Sequence, residues 1–314
     1  MLNFIPATAK APQTGDNDPR FGHLLGQSLS KNQTPKVVIL GFPSDIGVSR
    51  NGGRPGAAEA PGAIRQALYK LTPDVRCYER FCDLLKQTID LGDVILSDDL
   101  QANQKRLGDI IAPFLKQNTV MIIIGGGHET AYGHFLGYAN CSLPVSILNF
   151  DAHTDVRDLK DGKPHSGSPF RQALEHQSQM CKQYTVLGAQ PKSVSMNHYS
   201  YIKSHGGDIT WVDQLTRPCI EKAFSSSEKN IMTTFDLDAL DQAYAPGVSA
   251  PATDGLSPTL WRDAAEQAGE CRKVQSFDIV EMNPHFDCDG QTARLAASTI
   301  WHFFRGLTKR FFSL

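Results

Sequence analysis

The sequence lacks the features that mark secreted, membrane-spanning and nucleic-acid-binding proteins. Its seven cysteines stand singly, without a C-x-x-C pair and in odd number, which favours reduced thiols over a disulfide framework. The longest apolar runs, such as VMIII, are too short to cross a bilayer, and the N-terminal residues carry no apolar core of a secretory signal. The formal net charge of −2 forms no basic stripe or acidic tail, so neither nucleic acid nor a membrane surface is expected as a partner. We therefore expect a cytoplasmic protein.

The alternation of apolar runs with helical periodicity predicts the fold class. The chain has 314 residues, of which 40% are hydrophobic and 20% charged, enough to bury a large core. Runs such as KVVILGFP (36–43) are apolar at every position, which is typical of strands buried on both faces. The pattern predicts a single three-layer α/β/α domain with a central, mostly parallel sheet over residues 36–314. Residues 1–35 are polar without clean periodicity, and we interpret them as an N-terminal arm, extended or partly helical.

Polar clusters follow four of the apolar runs, which is where a parallel sheet binds its ligands. They occur in IIIGGGHE, ILNFDAHTD, TTFDLDALD and SFDIVEMNP. Their ligating or ionisable side chains are His128, Asp151, His153, Asp155, Asp236, Asp238 and Glu281. Residues i, i+2 and i+4 of an extended segment point the same way, so Asp151, His153 and Asp155 are expected to converge.

This combination of side chains predicts a metal site. Four aspartates that meet would repel one another unless a cation neutralises them, and four carboxylates with two imidazoles suit two ions that share bridging carboxylates. Oxygen and imidazole without thiolate favour manganese, with zinc, iron or cobalt as alternatives. Two ions about 3.5–4 Å apart can lower the pKa of a shared water, which predicts a hydrolase. Each motif alone has an ordinary alternative, such as helix capping or a glycine turn, but their conjunction at separate strand ends favours the metal site.

The motifs resemble those of the ureohydrolase family, the arginases and agmatinases, over about residues 36–307. GGGHE, DAHTD and FDLDALD stand in the order and at the separations that this family shows. Within it, RNGGRPGAAEAPGAIR, DAHTDVR and EMNPHFDCDGQTARLAA are most similar to the formimidoylglutamases. The departures are small, with Gln242 where many relatives have Pro and Ser168 where Thr is common.

The resemblance implies a site with two Mn²⁺ per subunit. One ion would be held by His128, Asp151, Asp155 and Asp236. The other would be held by His153, Asp151, Asp236 and Asp238. It also implies that Asp155 assists proton transfer, that His165 shuttles protons and that Glu281 binds cationic formimino nitrogens. The alternatives are an exposed loop histidine for His165 and a structural salt bridge that closes the strand end for Glu281.

The implied reaction is the hydrolysis of N-formimino-L-glutamate to L-glutamate and formamide in histidine degradation. This small-molecule substrate carries two carboxylates, for which Arg157 is the first binding candidate and Arg54 and Arg171 are weaker ones. For each arginine, an ion pair with a nearby aspartate such as Asp158 or Asp161 is the alternative. Another amidinohydrolase, such as an agmatinase or a guanidinobutyrase, stays open. A non-enzymatic scaffold is disfavoured because all six metal ligands are present. Relatives often form trimers or hexamers, so a homo-oligomer is also left open.

Overall fold

The computed structural model of this chain describes residues 4–15, 17–26, 34–227 and 230–312. Within these ranges, nine strands form one sheet. The strands are β1 (Phe4–Ile5), β2 (Val37–Phe42), β3 (Thr88–Val94), β4 (Val120–Gly125), β5 (Val145–Phe150), β6 (Cys181–Ala189), β7 (Asp208–Trp211), β8 (Ile231–Asp236) and β9 (Val274–Val280). The α-helices are α1 (Phe21–Leu24), α2 (Ile46–Asn51), α3 (Ala60–Leu68), α4 (Tyr78–Lys86), α5 (Leu100–Lys116), α6 (Thr130–Asn140), α7 (Pro169–Leu174), α8 (Met196–Ser204), α9 (Arg217–Ser226), α10 (Pro258–Glu270) and α11 (Gln291–Phe312).

The order of strands across the sheet brings four chemically important strand ends together. The order is β1-β3-β2-β4-β9-β8-β5-β6-β7, and every neighbouring pair is parallel except β1 with β3. The mostly parallel sheet is therefore confirmed. Because β4, β9, β8 and β5 are consecutive neighbours and run the same way, their carboxyl ends lie side by side at one edge.

Two apolar layers cover the two faces of the sheet. Along β2, Val37 and Ile39 belong to one layer, and Val38 and Leu40 belong to the other. Helices α3, α4, α9, α10 and α11 contribute to the first layer, and α5, α6, α7 and α8 contribute to the second. The predicted α/β/α architecture is thus confirmed. Among the described helices, none is both long and apolar enough to cross a membrane.

The described parts of residues 1–35 pack against the rest of the chain. β1 pairs with the edge strand β3, with Phe4 opposite Val94. Phe21 of α1 is fully buried, and its ring meets the Phe304 ring edge-on at 5.0 Å between centroids. This segment covers one sheet edge and fills part of the core, while its division from the domain at residue 35 stays a prediction.

Candidate metal centre

The four central strands each deliver part of the predicted site. His128 follows β4 by three residues, Asp151 follows β5 directly, Asp236 ends β8 and Glu281 follows β9 directly. These four side chains are at most 5% exposed. The strand order therefore explains how residues more than 150 positions apart in sequence come to share one site.

A first group of donors surrounds His128. The His128 Nδ1 lies 2.9 Å from an oxygen of Asp236, 3.0 Å from one of Asp155 and 3.4 Å from one of Asp151. Ligand atoms of all four residues lie within 4.8 Å of one another, close enough to bind one ion. This group has the same four members that the resemblance implies for one manganese ion.

A second group of donors forms around His153. The His153 Nδ1 lies 3.2 Å from an oxygen of Asp238 and 3.4 Å from the Oδ1 of Asp151. Asp151 belongs to both groups, so it is placed to bridge two ions. Asp236, the other bridging candidate, belongs only to the first group. Its Oδ1 accepts the backbone N–H of Asp238 at 2.8 Å.

The position of the proton on His128 suits a metal ligand. The His128 Nε2 lies 2.9 Å from the Thr234 hydroxyl, which can accept a hydrogen bond from the Nε2–H. The lone pair of Nδ1 then faces the carboxylates. Within the described chain, Nδ1 is buried without a hydrogen-bond partner, and so is Oδ1 of Asp238. Two orphaned donor atoms in a set of carboxylates and imidazoles fit divalent cations. Thr234 was not predicted, although it stands in the TTFDLD motif.

The electrostatics of the group also fit a cation. Burial, followed by the charges of Asp238 and Asp151, raises the pKa of Asp236 well above its usual range. Burial opposes protonation of His128, but the nearby carboxylates of Asp151, Asp155 and Asp236 outweigh it and raise its pKa. Without a metal, the cluster therefore holds protons in order to offset its negative charge. Bound cations would replace those protons.

The local backbone at the site differs from the extended geometry expected from the sequence. β5 ends at Phe150, so His153 and Asp155 lie in a loop, and Asp155 has a φ of 43°. Glu281 likewise has a φ of 65° immediately after β9. Such left-handed conformations are uncommon for residues with a side chain and tend to occur at functional sites. The aspartates therefore converge through loop turns rather than through strand alternation.

The glycine run before His128 allows a close approach of two loops. A Cβ atom at Gly126 would lie 2.0 Å from the carbonyl oxygen of Ser44, in the loop that follows β2. The next side chain after His128, Glu129, is fully buried and accepts hydrogen bonds from the Gly47 N–H at 2.8 Å and the Ser44 hydroxyl at 3.1 Å. Burial raises the pKa of Glu129 to about 7. Glu129 was not predicted as a site residue, although the GGGHE motif contains it.

Glu281 lies beside the donor groups. Its Oε1 accepts the backbone N–H of His128 at 2.7 Å, which leaves Oε2 for a ligand. Burial and the charges of Glu129 and Asp238 raise the pKa of Glu281 well above its usual range. No basic side chain in the described ranges forms a salt bridge with Glu281, so the structural salt bridge considered for it does not form.

His165 lies in the loop before α7, and its ring is engaged there. The ring Nε2 lies 2.9 Å from the carbonyl oxygen of Asp158, and Nδ1 accepts the N–H of Gly167 at 3.1 Å. His165 is only 3% exposed and does not line the pocket above the donors. It is therefore not an exposed loop histidine, and its role as a proton shuttle stays a prediction without a contact that supports it.

A pocket of about 280 Å³ opens above the two donor groups. Its lining includes His153, Asp155, Asp236, Asp238, Glu281, Asn51, Gly53, Arg54, Arg157, Ser166 and Ser249. Arg54 and Arg157 thus border the site. Arg171 instead pairs with Asp158 at 2.9 Å and with Glu175 at 3.1 Å, which is the alternative considered for it.

Fold and site together define a class of protein: an α/β/α enzyme scaffold with a carboxylate–imidazole metal centre at the carboxyl ends of its strands. The model of the Arginase family matches residues 35–305. The chain therefore belongs to the arginase family, as the sequence motifs predicted.

Individual relatives carry a more specific name. Formimidoylglutamase from Geobacillus kaustophilus (strain HTA426) is 38% identical over 288 residues, which cover 87% of this chain and 85% of the relative. Formimidoylglutamase from Rhodococcus opacus (strain B4) is 37% identical over 324 residues, which cover 97% of this chain and 95% of the relative. The crystal structure of Trypanosoma cruzi formiminoglutamase with Mn2+2 superimposes with a TM-score of 0.86 at 32% identity, over 93% of this chain and 99% of that one. The predicted resemblance to formimidoylglutamases is confirmed.

Proposed function

We propose that this chain is a formimidoylglutamase, a binuclear manganese hydrolase that cleaves N-formimino-L-glutamate to L-glutamate and formamide. The observation that carries the proposal is the pair of donor groups that share Asp151 at the base of a pocket the size of a small molecule. The names of the relatives, which match over most of the chain, support the substrate. A cytoplasmic location fits this role and remains part of the proposal.

The six donors have separate tasks in the proposed site. His128, Asp151, Asp155 and Asp236 would hold one manganese ion, and His153, Asp151 and Asp238 would hold the other. The resemblance to the family adds Asp236 to the second set. When bound, the two ions supply a water activated for nucleophilic attack at neutral pH.

The chain's own side chains would orient the substrate and move a proton. Water adds to the carbon of the C=N group, the bond from that carbon to the glutamate nitrogen breaks, and this nitrogen takes up one proton. Asp155 lines the pocket and is placed to carry that proton. The free Oε2 of Glu281 would orient the cationic amidinium through charge-assisted hydrogen bonds. Arg157 would bind a substrate carboxylate, since its only side-chain hydrogen bond in the described chain is a long one of 3.4 Å to Asn51.

The direct test is a turnover panel with manganese-loaded protein. We expect release of formamide and L-glutamate from N-formimino-L-glutamate, and little turnover of arginine, agmatine or 4-guanidinobutyrate. Turnover of a guanidino compound instead would keep the metal centre and discard this substrate. Absence of turnover on all four, with two ions bound per chain, would discard the substrate class.

The variant Arg157→Ala distinguishes a formimidoylglutamase from another amidinohydrolase, such as an agmatinase. A substrate with free carboxylates predicts a steep rise in KM for this variant, because a cationic contact present in the bound state is lost. A cationic substrate such as agmatine predicts little change or a fall in KM, because the variant lacks the positive charge that repels such a substrate in the wild-type protein. Manganese content and the melting temperature of the variant control for indirect effects.

A further inference from the structure

Two arginines on the pocket wall have no acidic partner. Arg54 and Arg157 both line the pocket, and in the ranges that the structure describes neither forms a salt bridge. Arg171, the third arginine considered for substrate binding, is instead paired with Asp158 at 2.9 Å. Uncompensated guanidinium groups beside a pocket are ready to bind an anionic ligand group.

Arg54 is held rigidly in place. Its Nε donates to the carbonyl oxygen of Ser249 at 3.0 Å, and its Nη2 donates to that of Val248 at 2.5 Å. The guanidinium carbon stacks on the Phe286 ring at 3.8 Å from the centroid. The backbone is fixed as well, because the Arg54 N–H donates to the Ser249 hydroxyl at 2.9 Å and its carbonyl accepts from Asn283. Nη1 keeps both of its donors for a ligand.

Arg157 is held much more loosely. It is exposed, it comes from the loop after β5, and its Nη1 contacts the Asn51 side chain at 3.4 Å. The two arginines therefore belong to different loops, and the Arg54 side chain is held by more and shorter contacts than the Arg157 side chain. Two such cations suit a ligand with two anionic groups better than a ligand with one.

We propose that Arg54 and Arg157 each bind one of the two carboxylates of the substrate, so that Arg54 is a second specificity-determining residue. This inference rests on the proposed function, which supplies a substrate with an amidine and two carboxylates. Glu281 and both arginines line the same pocket, so a substrate whose amidinium lies at Glu281 has its remaining groups in the pocket that the arginines border. The firmly held guanidinium of Arg54 sets where one carboxylate lies, and the less constrained Arg157 follows the other.

The test pairs each arginine with the carboxylate that it binds. Wild-type protein, Arg54→Gln and Arg157→Gln are assayed on N-formimino-L-glutamate and on two analogues. N-formimino-4-aminobutyrate lacks the α-carboxylate, and N-formimino-L-2-aminobutyrate lacks the side-chain carboxylate. Arg217→Gln, an exposed arginine paired with Glu221 on α9, is the matched control. Manganese content and melting temperature are measured for each variant.

We expect each variant to lose roughly 10–100-fold in kcat/KM on the full substrate, mainly through KM, as for lost hydrogen bonds to a charged group. Each should be close to wild type on the analogue that lacks its own carboxylate, and the two variants should be close to wild type on different analogues. Arg217→Gln should match wild type on all three substrates.

Two results would overturn the inference and leave the proposed function intact. An equal loss for Arg54→Gln on all three substrates would mean that Arg54 only holds the Val248–Ser249 segment. If both variants are close to wild type in kcat/KM on the same analogue, then both arginines bind the same carboxylate. If Arg54→Gln fails to fold, Arg54→Lys keeps the charge without the planar fork and should show the same pattern with a smaller loss. Wild-type protein that does not turn over N-formimino-L-glutamate would instead refute the proposed function, and this inference with it.

Discussion

At the scale of single residues, Asp151 is the most consequential donor. It is the one residue that the two donor groups share within the described chain, and it is fully buried. Asn149 and the backbone N–H of His153 hold its two oxygens at 2.9 and 2.6 Å. Removal of this carboxylate should therefore weaken the binding of both ions rather than of one.

Asp151→Asn should leave fewer than two manganese ions per chain after dialysis. The loss of affinity should exceed the about 10–100-fold that is typical when only an outer-shell partner of a metal ligand is removed. Elemental analysis of dialysed protein measures the content, and Asp208→Asn, an exposed aspartate paired with Lys203, is the control. Retention of two ions with unchanged affinity would contradict the assignment of Asp151.

Glu281 is expected to act on the substrate rather than on the metals. Glu281→Gln keeps an oxygen that can accept the His128 N–H but loses the negative charge that faces an amidinium. We expect kcat/KM to fall by roughly 10–100-fold, as for a hydrogen bond to a charged group, with manganese content unchanged. Steady-state kinetics and elemental analysis on the same preparation test this. A loss of manganese in the variant would show that Glu281 supports His128 instead.

The sequence predicted which six metal donors meet at this site but not how they meet. The six donors stand in motifs after apolar runs, which is a local signal. The φ of 43° at Asp155 and the contact of Thr234 with His128 depend on how loops from different strands pack together. Such packing carries no periodicity and could not be predicted from one chain's pattern of residues.

At the scale of elements, β3 is a strand that the pattern of residues does not predict. Its sequence, TIDLGDV, contains two aspartates and a glycine, and this polarity hid a strand. Arg65 of α3 resolves the conflict, because its Nε lies 2.8 Å from Asp90 and its Nη1 2.5 Å from Asp93. The Tyr69 hydroxyl also donates to Asp90 at 2.8 Å. A strand with buried charge thus depends on one arginine of a preceding helix.

Replacement of Arg65 should unfold this corner of the sheet. The Arg65 side chain is 1% exposed and that of Asp90 is 6% exposed, so Arg65→Met would leave a buried carboxylate without its partner. We expect a loss of about 3–5 kcal/mol in the free energy of unfolding, the range for breaking a buried ion pair. Urea denaturation measures it, with Arg80→Met on the exposed side of α4 as the control. Equal stability of the two variants would show that the pair contributes nothing.

The N-terminal arm should behave as part of the core despite its polar sequence. Phe21 is fully buried against Phe304, so Phe21→Ala should cost about 3–5 kcal/mol in the free energy of unfolding. Ile5→Ala, at a site 55% exposed on β1, should change it by less than about 0.5 kcal/mol. Denaturation curves of both variants test this. If Phe21→Ala is as mild as Ile5→Ala, residues 1–35 are separable from the domain.

At the scale of the whole molecule, the layers could be predicted and the order of strands could not. The alternation of apolar runs such as KVVILGFP with helical segments requires a covered parallel sheet, whatever the order of strands. That β9 inserts between β4 and β8 depends on which apolar faces fit together, which is long-range information. The site nevertheless could be predicted, because every parallel strand ends at the same edge in any order.

The stability of the whole molecule at acid pH should depend on the packing of α10 on α11. Glu266 of α10 lies 2.5 Å from Lys309, 3.1 Å from Arg305 and 3.5 Å from His302, all on α11. Burial works against the charge of Glu266, but the neighbouring His302, Lys309 and Arg305 outweigh it and lower its pKa to about 2. In the unfolded chain the pKa of Glu266 returns to about 4.5, so the ionised group favours the folded state.

This contribution should be fully present above pH 4.5 and should disappear as the pH falls toward 2, since the folded pKa is the lower one. Glu266→Gln should therefore be less stable than wild type by about 1–2 kcal/mol at neutral pH and should lose less stability between pH 4.5 and 2. The unfolding of both proteins is measured on samples from which metal has been removed with a chelator. Release of metal at low pH then does not contribute to the measured stability. Glu270→Gln removes a single contact to Lys309 from a more exposed position, so it should lower the free energy of unfolding by less. Parallel curves for wild type and Glu266→Gln would mean that the two helices are held together by their apolar contacts alone.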